Sequence, residues 1–434
     1  MRSGCMLPFR RDASPDWPAL LGSAAIGAAA GILIAGNLFT EGKKIRKQIV
    51  APYRVGDDAF VRSMGLILGP PILDGNTVKS LHNGEQIFPA MLEAIRGAQR
   101  TVCFENFIFY EGEVTERFGN ALAERARAGV KVHFLQDGLG CDCHFGRDIC
   151  HMERSGVEVE IYRFTHLTRV NQRTHRKLLI VDGEVGFTGG VGIADCWDGR
   201  GDRPNEWRDS HYELRGPCVA QMQQAFIDNW MMTRGEVLHG DEYSPALGDA
   251  GNLRCQVFKS SADEGSDSAR VMVMISLAAA KETVRIANAY FLPDDLTIAT
   301  ILSACHRGVE VEIIVPGEQI DQPWFRQVAR QRWGKMLEAG VRFYEFQPTN
   351  FHCKYMVADD CWVSVGSTNM DNRSLRLNEE CNLNVLDSGF AAEHVRLFEA
   401  DKKQSRRISV SEWKRRPLLE RIAGTAGLLF RGQM

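Results

Sequence analysis

The fold is decided by two similar stretches of sequence, TVCFENFIFYEGEVTERFGNALAERARAGVKVHFLQDG (residues 101–138) and TVRIANAYFLPDDLTIATILSACHRGVEVEIIVPG (residues 283–317). Each stretch reads as an apolar strand, an amphipathic helix, a Gly-Val pair and a second apolar strand. This alternation predicts an α/β layer built on a mixed or parallel sheet. The two first strands begin 182 residues apart and the two Gly-Val pairs lie 179 residues apart. Because these separations are nearly equal, an internal duplication is the economical explanation.

The duplication divides most of the chain into two predicted lobes, residues 49–247 and 248–434. A Gly-rich stretch at 248–251 and a polar stretch at 260–268, rich in Ser, Asp and Gly, lie near this division. Such stretches are typical of a boundary between structural units. We therefore expect two similar α/β lobes with mixed sheets.

The composition is that of a water-soluble globular protein over most of its 434 residues. Hydrophobic residues make up 44% and charged residues 25%, which excludes a disordered chain and a membrane protein with many spans. The formal net charge of -3 lacks the positive excess of a general nucleic-acid binder. The length favours two or three domains.

The N-terminal 48 residues contain an uncharged segment, WPALLGSAAIGAAAGILIAGNLFT, at positions 17–40. As a helix rising about 1.5 Å per residue, it is long enough to cross the roughly 30 Å hydrocarbon core of a bilayer. A secretory signal and a buried helix rich in Ala and Gly are the alternatives. More Lys and Arg residues follow the segment than precede it, so we expect a single transmembrane anchor with a cytoplasmic body.

The twelve cysteines are scattered along the chain, and a protein of this size does not need a disulfide framework, so we expect most of them to be reduced. One cluster within eleven positions is denser than the rest. Its members are Cys141, Cys143, His144, Cys150 and His151. These residue types can bind zinc, and packing of short buried cysteines beside a strand is the alternative.

The candidate chemistry lies near the end of each repeat, in THRKLLIVDGEVGFTGG (174–190) and FHCKYMVADDCWVSVGSTN (351–369). Both stretches contain the pattern H-x-K-x4-D, followed after six residues by Gly-Gly or Gly-Ser. A single H-x-K is uninformative, but two complete copies at equivalent positions of a repeat indicate function. The patterned residues are His175, Lys177, Asp182, His352, Lys354 and Asp359, with Ser367 and Asn369 as candidate phosphate-binding or supporting residues.

The spacing explains why these residue types belong together. Side chains alternate along a strand, so each histidine faces the same side as the lysine two residues later. Two such strands can enclose one phosphodiester, with imidazoles as nucleophile and acid and ammonium groups on the oxygens, without a metal or cofactor. A pair of satisfied core histidines is the alternative, which the duplication disfavours.

The duplicated pattern resembles that of the phospholipase D superfamily, and the resemblance covers nearly all of residues 80–400. Three stretches look similar to bacterial cardiolipin synthases: LHNGEQIFPAMLEAIRGAQ (81–99), EWRDSHYELRGP (206–217) and GSTNMDNRSLRLNEECNL (366–383). The chain departs from the family at Val191-Gly192, where similar synthases often carry Asn. The resemblance implies a duplicated α/β sandwich of two phospholipase D-like lobes that share one active site.

The resemblance also implies a phosphatidyltransferase that makes cardiolipin from phosphatidylglycerol-type lipids and releases glycerol. In this reading His175 attacks phosphorus to form a phosphohistidine, and His352 is the general acid and then the base. The implied partners are phospholipids and the bacterial inner membrane, with no nucleic acid. A hydrolytic phospholipase D, a nuclease of the superfamily and a non-enzymatic membrane scaffold are the alternatives.

Strand parity, meaning that residues an odd number of positions apart on a strand face opposite sides, separates the candidate acids into two groups. Asp182 and Asp359 complete the superfamily pattern, but they lie seven residues after their histidines, an odd offset that points them to the opposite face. Each stands at a turn, so we expect both to bind backbone amides in a structural role. The resemblance assigns the orientation of the imidazoles to Asp209 and Glu379, each with the histidine of its own repeat.

The C-terminal tail, EWKRRPLLERIAGTAGLLFRGQM (412–434), places a basic run before an apolar stretch. Such a segment can lie on an anionic bilayer, and an ordinary C-terminal helix is an equal alternative. Near the other end of the chain, Gly27 and Gly31 form a G-x-x-x-G pair that suits close packing of helices, so a homo-oligomer is a further option.

Overall fold

This computed structural model describes residues 47–140, 146–162, 172–261 and 267–433, together with Gly27 and Ile45. The predicted transmembrane helix at 17–40 lies, except for Gly27, outside the described residues. Cys141, Cys143 and His144 of the predicted zinc cluster lie outside them as well. Within the described ranges no helix is long and apolar enough to cross a bilayer.

The described strands form one mixed sheet of fifteen strands. In chain order the strands are β1 (Leu73–His82), β2 (Thr101–Asn106), β3 (Lys131–Asp137), β4 (Glu158–Tyr162), β5 (Leu178–Val181), β6 (Val185–Gly189), β7 (Ser210–Arg215), β8 (Leu253–Ser260), β9 (Thr283–Asn288), β10 (Glu310–Pro316), β11 (Arg342–Phe346), β12 (Lys354–Ala358), β13 (Trp362–Gly366), β14 (Glu380–Leu386) and β15 (Ser405–Ile408). β2, β3 and β4 run parallel to one another, as do β9, β10 and β11. The other neighbouring strands are antiparallel, so the predicted mixed sheet is confirmed.

The helices of the described residues pack on both faces of this sheet. In chain order the helices are α1 (Asp58–Leu68), α2 (Asn83–Gly97), α3 (Glu113–Arg127), α4 (Arg147–Arg154), α5 (Val219–Arg234), α6 (Ser268–Ala279), α7 (Asp295–His306), α8 (Pro323–Arg332), α9 (Gly334–Glu338), α10 (Asn372–Arg376), α11 (Ser388–Lys403), α12 (Val410–Lys414) and α13 (Leu418–Gly427). One short 3-10 helix, Asp195–Trp197, lies between β6 and β7, and another, Leu428–Gln433, follows α13.

The sheet repeats its own topology, as the internal duplication predicts. Reading outward from the centre, the first half runs β1-β7-β6-β5-β2-β3-β4 and the second half runs β8-β14-β13-β12-β9-β10-β11, with β15 at its edge. The halves join edge to edge because β1 pairs antiparallel with β8. The predicted boundary at 247/248 falls between α5 and β8. The division into two lobes at this point is our proposal.

Alternating side chains on the inner strands fill different layers of the core. On β5, Leu178 and Ile180 are buried in a layer shared by both halves, whereas Leu179 faces the helices of the first half. On β12, Tyr355 and Met356 divide between layers in the same way. Because these strands are buried on both faces, they read as continuous apolar runs in the sequence.

Two short parallel bridges cross between the halves close to the inner strands. Thr174 pairs with Glu379, and Arg208 pairs with Phe351. Each bridge joins the residue before a histidine to the residue before an acid in the other half. The halves therefore meet at the residues that carry the predicted chemistry.

Candidate active site

Each histidine stands just before a buried strand and is held by the backbone of the other half. His175 precedes β5, and its amide donates to the carbonyl of Glu379 at 2.9 Å. His352 precedes β12, and its amide donates to the carbonyl of Arg208 at 2.8 Å. Both imidazoles are buried. Equivalent contacts across the junction therefore position the two motifs.

The carboxylates that orient the imidazoles also come from the opposite half. Oδ2 of Asp209, just before β7, lies 2.7 Å from Nδ1 of His352. Both carboxylate oxygens of Glu380, the first residue of β14, lie 3.0 Å from Nδ1 of His175. A carboxylate accepts hydrogen bonds, so each Nδ1 carries the proton and each Nε2 keeps its lone pair. The expected pairing of Asp209 with the histidine of its own repeat is therefore wrong, because the bridges between the halves bring Asp209 to His352 instead.

The predicted contact between Glu379 and an imidazole is wrong. Its carboxylate instead accepts from Arg176 at 2.5 Å and from Oγ of Ser261 at 2.7 Å. Neighbouring side chains of an extended chain point to opposite faces, so of the two adjacent acids only Glu380 faces His175. Glu379 neutralises a buried guanidinium behind the site.

The two lysines are buried beside the imidazoles. Nζ of Lys177 donates to the carbonyl of His175 at 3.0 Å, and Nζ of Lys354 donates to that of His352 at 2.6 Å. Nζ of Lys354 also lies 3.0 Å and 3.1 Å from the two ring nitrogens of His352. The charge of Lys354 opposes protonation of Lys177, while the charges of Glu380 and Asp209 favour it. A bound phosphate would add negative charge that favours the protonated form of both lysines.

Burial shapes the protonation of these groups. It lowers the pKa of the His175 imidazole to about 4, against the opposing charge of Glu380. Burial lowers the pKa of the Lys177 ammonium to about 7, and the nearby charge of Lys354 adds to this. Burial and Lys354 also lower the pKa of His352. Both imidazoles are therefore neutral near pH 7, as a nucleophile must be, and a bound phosphate anion would raise these pKa values.

The two orienting acids stay ionised although they are buried. Burial opposes the ionisation of Asp209, but the hydrogen bond and charge of His352, together with Lys354, outweigh it and hold the pKa of this carboxyl below its usual range. His175 and Lys177 lower the pKa of the buried Glu380 carboxyl in the same way. Each acid can thus stabilise its imidazole when the ring becomes positively charged.

Asp182 and Asp359 bind backbone amides, as strand parity predicts. Asp182 follows β5 and accepts from the amides of residues 99, 100 and 101 at 2.9, 2.7 and 2.9 Å. Asp359 follows β12 and accepts from the amides of residues 281, 282 and 283 at 2.8, 2.8 and 3.1 Å. Their φ angles of 55° and 46° lie in the left-handed region, which Asp adopts more readily than most residues. Both acids hold the turns that lead into β2 and β9.

The residues after the motifs differ between the halves. Oγ of Ser367 donates to Oε2 of Glu380 at 2.5 Å, so it supports an orienting acid. The first half has Gly190 at the equivalent position, where a Cβ would lie 2.2 Å from Oδ1 of Asp209. Asn369 is buried, and within the described residues its Oδ1 has no hydrogen-bond partner. Its contact with a phosphate stays a prediction.

Four aromatic rings, none of them part of the histidine motifs, line the site. They are Phe107, 5.2 Å from His175 between ring centroids, and Trp197, Trp207 and Tyr290, which are 5.3, 5.3 and 6.3 Å from His352. Nε1 of Trp197 also donates to Oδ2 of Asp209 at 3.0 Å. Trp197 belongs to no motif and is far from His352 in sequence, so only the fold could reveal this contact.

The described residues include no group of three or more His, Cys, Asp or Glu side chains arranged to hold a metal ion. Cys150 and His151, the described members of the predicted zinc cluster, lie on α4. What the site offers is two imidazoles, two ammonium groups and two orienting carboxylates. This set matches the acid, base and charge needs of phosphodiester transfer.

Comparison with known proteins agrees with this chemistry. A family model described as cardiolipin synthase, PLD-like domain, matches residues 91–196 and 273–402. Cardiolipin synthase A of Pseudomonas aeruginosa is 34% identical over 342 residues, which cover 77% of this chain and 69% of that protein. Cardiolipin synthase 1 of Bacillus cereus is 30% identical over 399 residues, which cover 88% of this chain and 77% of that protein.

Among solved structures, phosphatidylserine synthase from Haemophilus influenzae Rd KW20 matches with a TM-score of 0.68, covering 87% of this chain and 98% of that chain. Because the sequence identity is only 13%, this likeness supports the fold and not a shared function. The family match includes both histidine motifs and more than half of the chain. The resemblance noted in the sequence is therefore confirmed, and the chain belongs to the cardiolipin synthase family of phospholipase D-like phosphatidyltransferases.

Proposed function

We propose that this enzyme makes cardiolipin from two phosphatidylglycerol-type lipids through a phosphohistidine intermediate and releases glycerol. The observation that carries the proposal is the reciprocal pairing of His175 with Glu380 and of His352 with Asp209 across the junction of the halves. The relatives named cardiolipin synthases support the choice of lipid.

In the first step, Nε2 of His175 attacks the phosphorus of the donor lipid. The phosphate anion of the bound lipid raises the pKa of His352, so its imidazole binds a second proton. The bond from phosphorus to the glycerol headgroup oxygen breaks, His352 gives this proton to that oxygen, and glycerol leaves. Lys177 and Lys354 neutralise the phosphoryl oxygens as charge moves onto the leaving oxygen. Glu380 stabilises the positive charge that His175 gains with the phosphatidyl group.

In the second step, the headgroup hydroxyl of another lipid takes the place of glycerol. His352, now neutral, removes the proton of this hydroxyl, and the oxygen attacks phosphorus. The bond from phosphorus to His175 breaks, which restores the free imidazole. His352 ends the cycle with the proton it began with, so no metal or cofactor enters either step.

Product analysis tests the proposal. The purified full chain is given vesicles of defined phosphatidylglycerol, with and without phosphatidylethanolamine, and the lipids are analysed by mass spectrometry. We expect cardiolipin and free glycerol in equal amounts, and neither from the His175→Asn variant. Phosphatidic acid as the main product would show a hydrolytic phospholipase D, and cleavage of single-stranded DNA at a matching rate would show a nuclease.

We also propose that the enzyme works at the bacterial inner membrane, anchored by the segment at 17–40 with the catalytic body in the cytoplasm. The charge bias around that segment supports this orientation. Protease treatment of inverted inner-membrane vesicles should digest residues 49–434, and full protection of them would contradict the orientation.

A further inference from the structure

We propose that the outer face of α13 and of the 3-10 turn after it docks on an anionic bilayer and holds the mouth of the active site against the lipid. This surface, the tail face, consists of Leu418, Leu419, Ile422 and Leu429. The inference rests on the proposed function, because it concerns how the lipid substrate reaches the site.

The tail face is apolar and faces outward. Leu418, Leu419, Ile422 and Leu429 expose 67%, 80%, 57% and 84% of their surface. Their spacing along a helix places them on one side. Three of them, Leu418, Ile422 and Leu429, line a shallow depression of about 540 Å³ together with Arg421, Gln331 and two small residues of the helix. Single exposed leucines are ordinary, but a clustered set of this kind marks an interaction surface.

The inner side of the same helix carries small residues where a water-soluble helix would carry its large apolar ones. A Cβ on Gly424 would lie 2.6 Å from the carbonyl oxygen of Gln327, and one on Gly427 would lie 2.2 Å from Cγ2 of Val328. The glycines therefore let α13 pack closely on α8. In the usual amphipathic helix the large apolar side chains face the protein core, whereas here they face outward. These side chains therefore suit contact with an apolar environment outside the protein.

The charges around the tail face suit an anionic lipid surface. Arg415 and Arg421 are exposed, and within the described residues neither forms an ion pair with a carboxylate. The acids of this segment are already neutralised: Glu420 pairs with Arg330 at 2.8 Å, and Glu412 pairs with Arg406. Apolar side chains flanked by unpaired arginines are typical of segments that lie in the headgroup region. A second copy of the chain would bring the same positive charges together.

The tail face is connected to the active site through packed side chains. Leu428 packs in a small cluster with Phe325 and Tyr290. The ring of Tyr290 lies 4.8 Å from that of Phe325 and 6.3 Å from that of His352. In addition, Nδ2 of Asn372, the first residue of α10, donates to the carbonyl of Arg431 at 2.9 Å. A bilayer on the tail face would thus lie beside the wall of the His352 pocket.

Photo-crosslinking in the full chain tests which partner covers the tail face. The variant Leu419→p-benzoylphenylalanine is reconstituted in nanodiscs of phosphatidylcholine with phosphatidylglycerol. Leu66→p-benzoylphenylalanine is the matched control, because Leu66 lies on α1 and is 86% exposed. We expect lipid adducts at position 419 and few at position 66. Crosslinks from 419 to a second chain or to residues 1–40, or equal lipid adducts at both positions, would overturn the proposal.

Turnover of two forms of the substrate separates this inference from the proposed function. In the double variant Leu419→Ser/Leu429→Ser, we expect turnover of phosphatidylglycerol vesicles to fall about tenfold or more, since two apolar anchors are lost. Turnover of monomeric, water-soluble short-chain phosphatidylglycerol should stay within about twofold of the parent enzyme, and Leu66→Ser should change neither.

The other outcomes are equally distinct. Equal vesicle turnover in the double variant and the parent would refute docking, and so would a parallel loss on both substrates. Failure of the parent enzyme to convert either substrate would instead refute the proposed function.

Discussion

At the scale of single residues, the position at which β14 begins determines which acid binds the nucleophilic histidine, His175. Glu379 and Glu380 are adjacent and equally buried, yet one neutralises Arg176 and the other binds His175. The sequence gives two candidates at this position, and only the start of β14 distinguishes them. The first-half acid, Asp209, has no such competitor beside it in EWRDSH.

This difference predicts opposite phenotypes for two neighbouring substitutions. Glu380→Gln should reduce turnover by about 100-fold or more, because His175 loses the carboxylate that fixes its tautomer and stabilises its charge. Glu379→Gln should lower the free energy of unfolding by about 3 kcal/mol, because a buried guanidinium loses its partner, while the folded enzyme keeps most of its turnover. Steady-state kinetics and urea unfolding of both variants check this. Equal losses of turnover would contradict the assignment.

Trp197 acts on His352 through Asp209, as a positioning residue. Trp197→Phe keeps a ring but removes the N–H that binds Oδ2 of Asp209. A hydrogen bond to a charged group contributes about 1.5–3 kcal/mol, so turnover should fall about tenfold or more. Without this donor, the carboxylate of Asp209 stabilises the protonated form of His352 more strongly, which raises the pKa of that imidazole. The pH profile of turnover should therefore move to higher pH. Trp207→Phe is the control, because its ring also lies 5.3 Å from His352. The same shift in both variants would show a packing effect only.

At the scale of elements, the strands within each repeat could be predicted from the sequence, whereas the contacts between the two halves could not. The strands at Thr101 and Thr283, and the positions of Asp182 and Asp359, follow from local periodicity and parity. The exchange of acids between halves does not, because spacing along the chain reports only on neighbours in the same repeat. The bridges at Thr174 and Arg208 that cause this exchange are tertiary contacts without a sequence signal.

Asp182 and Asp359 should behave as structural residues of the strand ends. Asp182→Asn and Asp359→Asn each weaken three hydrogen bonds from backbone amides to a carboxylate. We expect each to lower the free energy of unfolding by about 1–3 kcal/mol, with turnover nearly unchanged well below the melting temperature. Thermal unfolding measures the stability of each variant. Kinetics are measured roughly 20 °C below the midpoint of thermal unfolding, where both variants remain folded. A loss of turnover without a loss of stability would contradict this role.

At the scale of the whole molecule, acid should destabilise the fold through its buried histidines. Burial, as the largest cause, lowers the pKa of His175 and His133 to about 4 and that of His211 to about 3. The pKa of histidine in an unfolded chain is about 6.5, so below this pH the unfolded chain binds more protons than the folded one. The stabilisation is complete above pH 6.5 and is lost as the pH falls toward about 4.

For His175 alone, the loss across this window is roughly 3 kcal/mol. Urea unfolding at a series of pH values from 8 down to about 4.5 measures it. Replacement of the exposed His239 by Asn should leave the slope unchanged. A free energy of unfolding that stays constant below pH 6.5 would contradict the burial of neutral histidines.

In the proposed reaction, His175 carries the phosphatidyl group while His352 supplies and removes the proton. The most direct measurement gives the His352→Asn variant a lipid whose headgroup is p-nitrophenol, which departs without help from an acid. We expect a burst of one p-nitrophenolate per protein, with the phosphatidyl group mapped to His175 by mass spectrometry of the peptides. Release without a burst, or an adduct on any other residue, would contradict it.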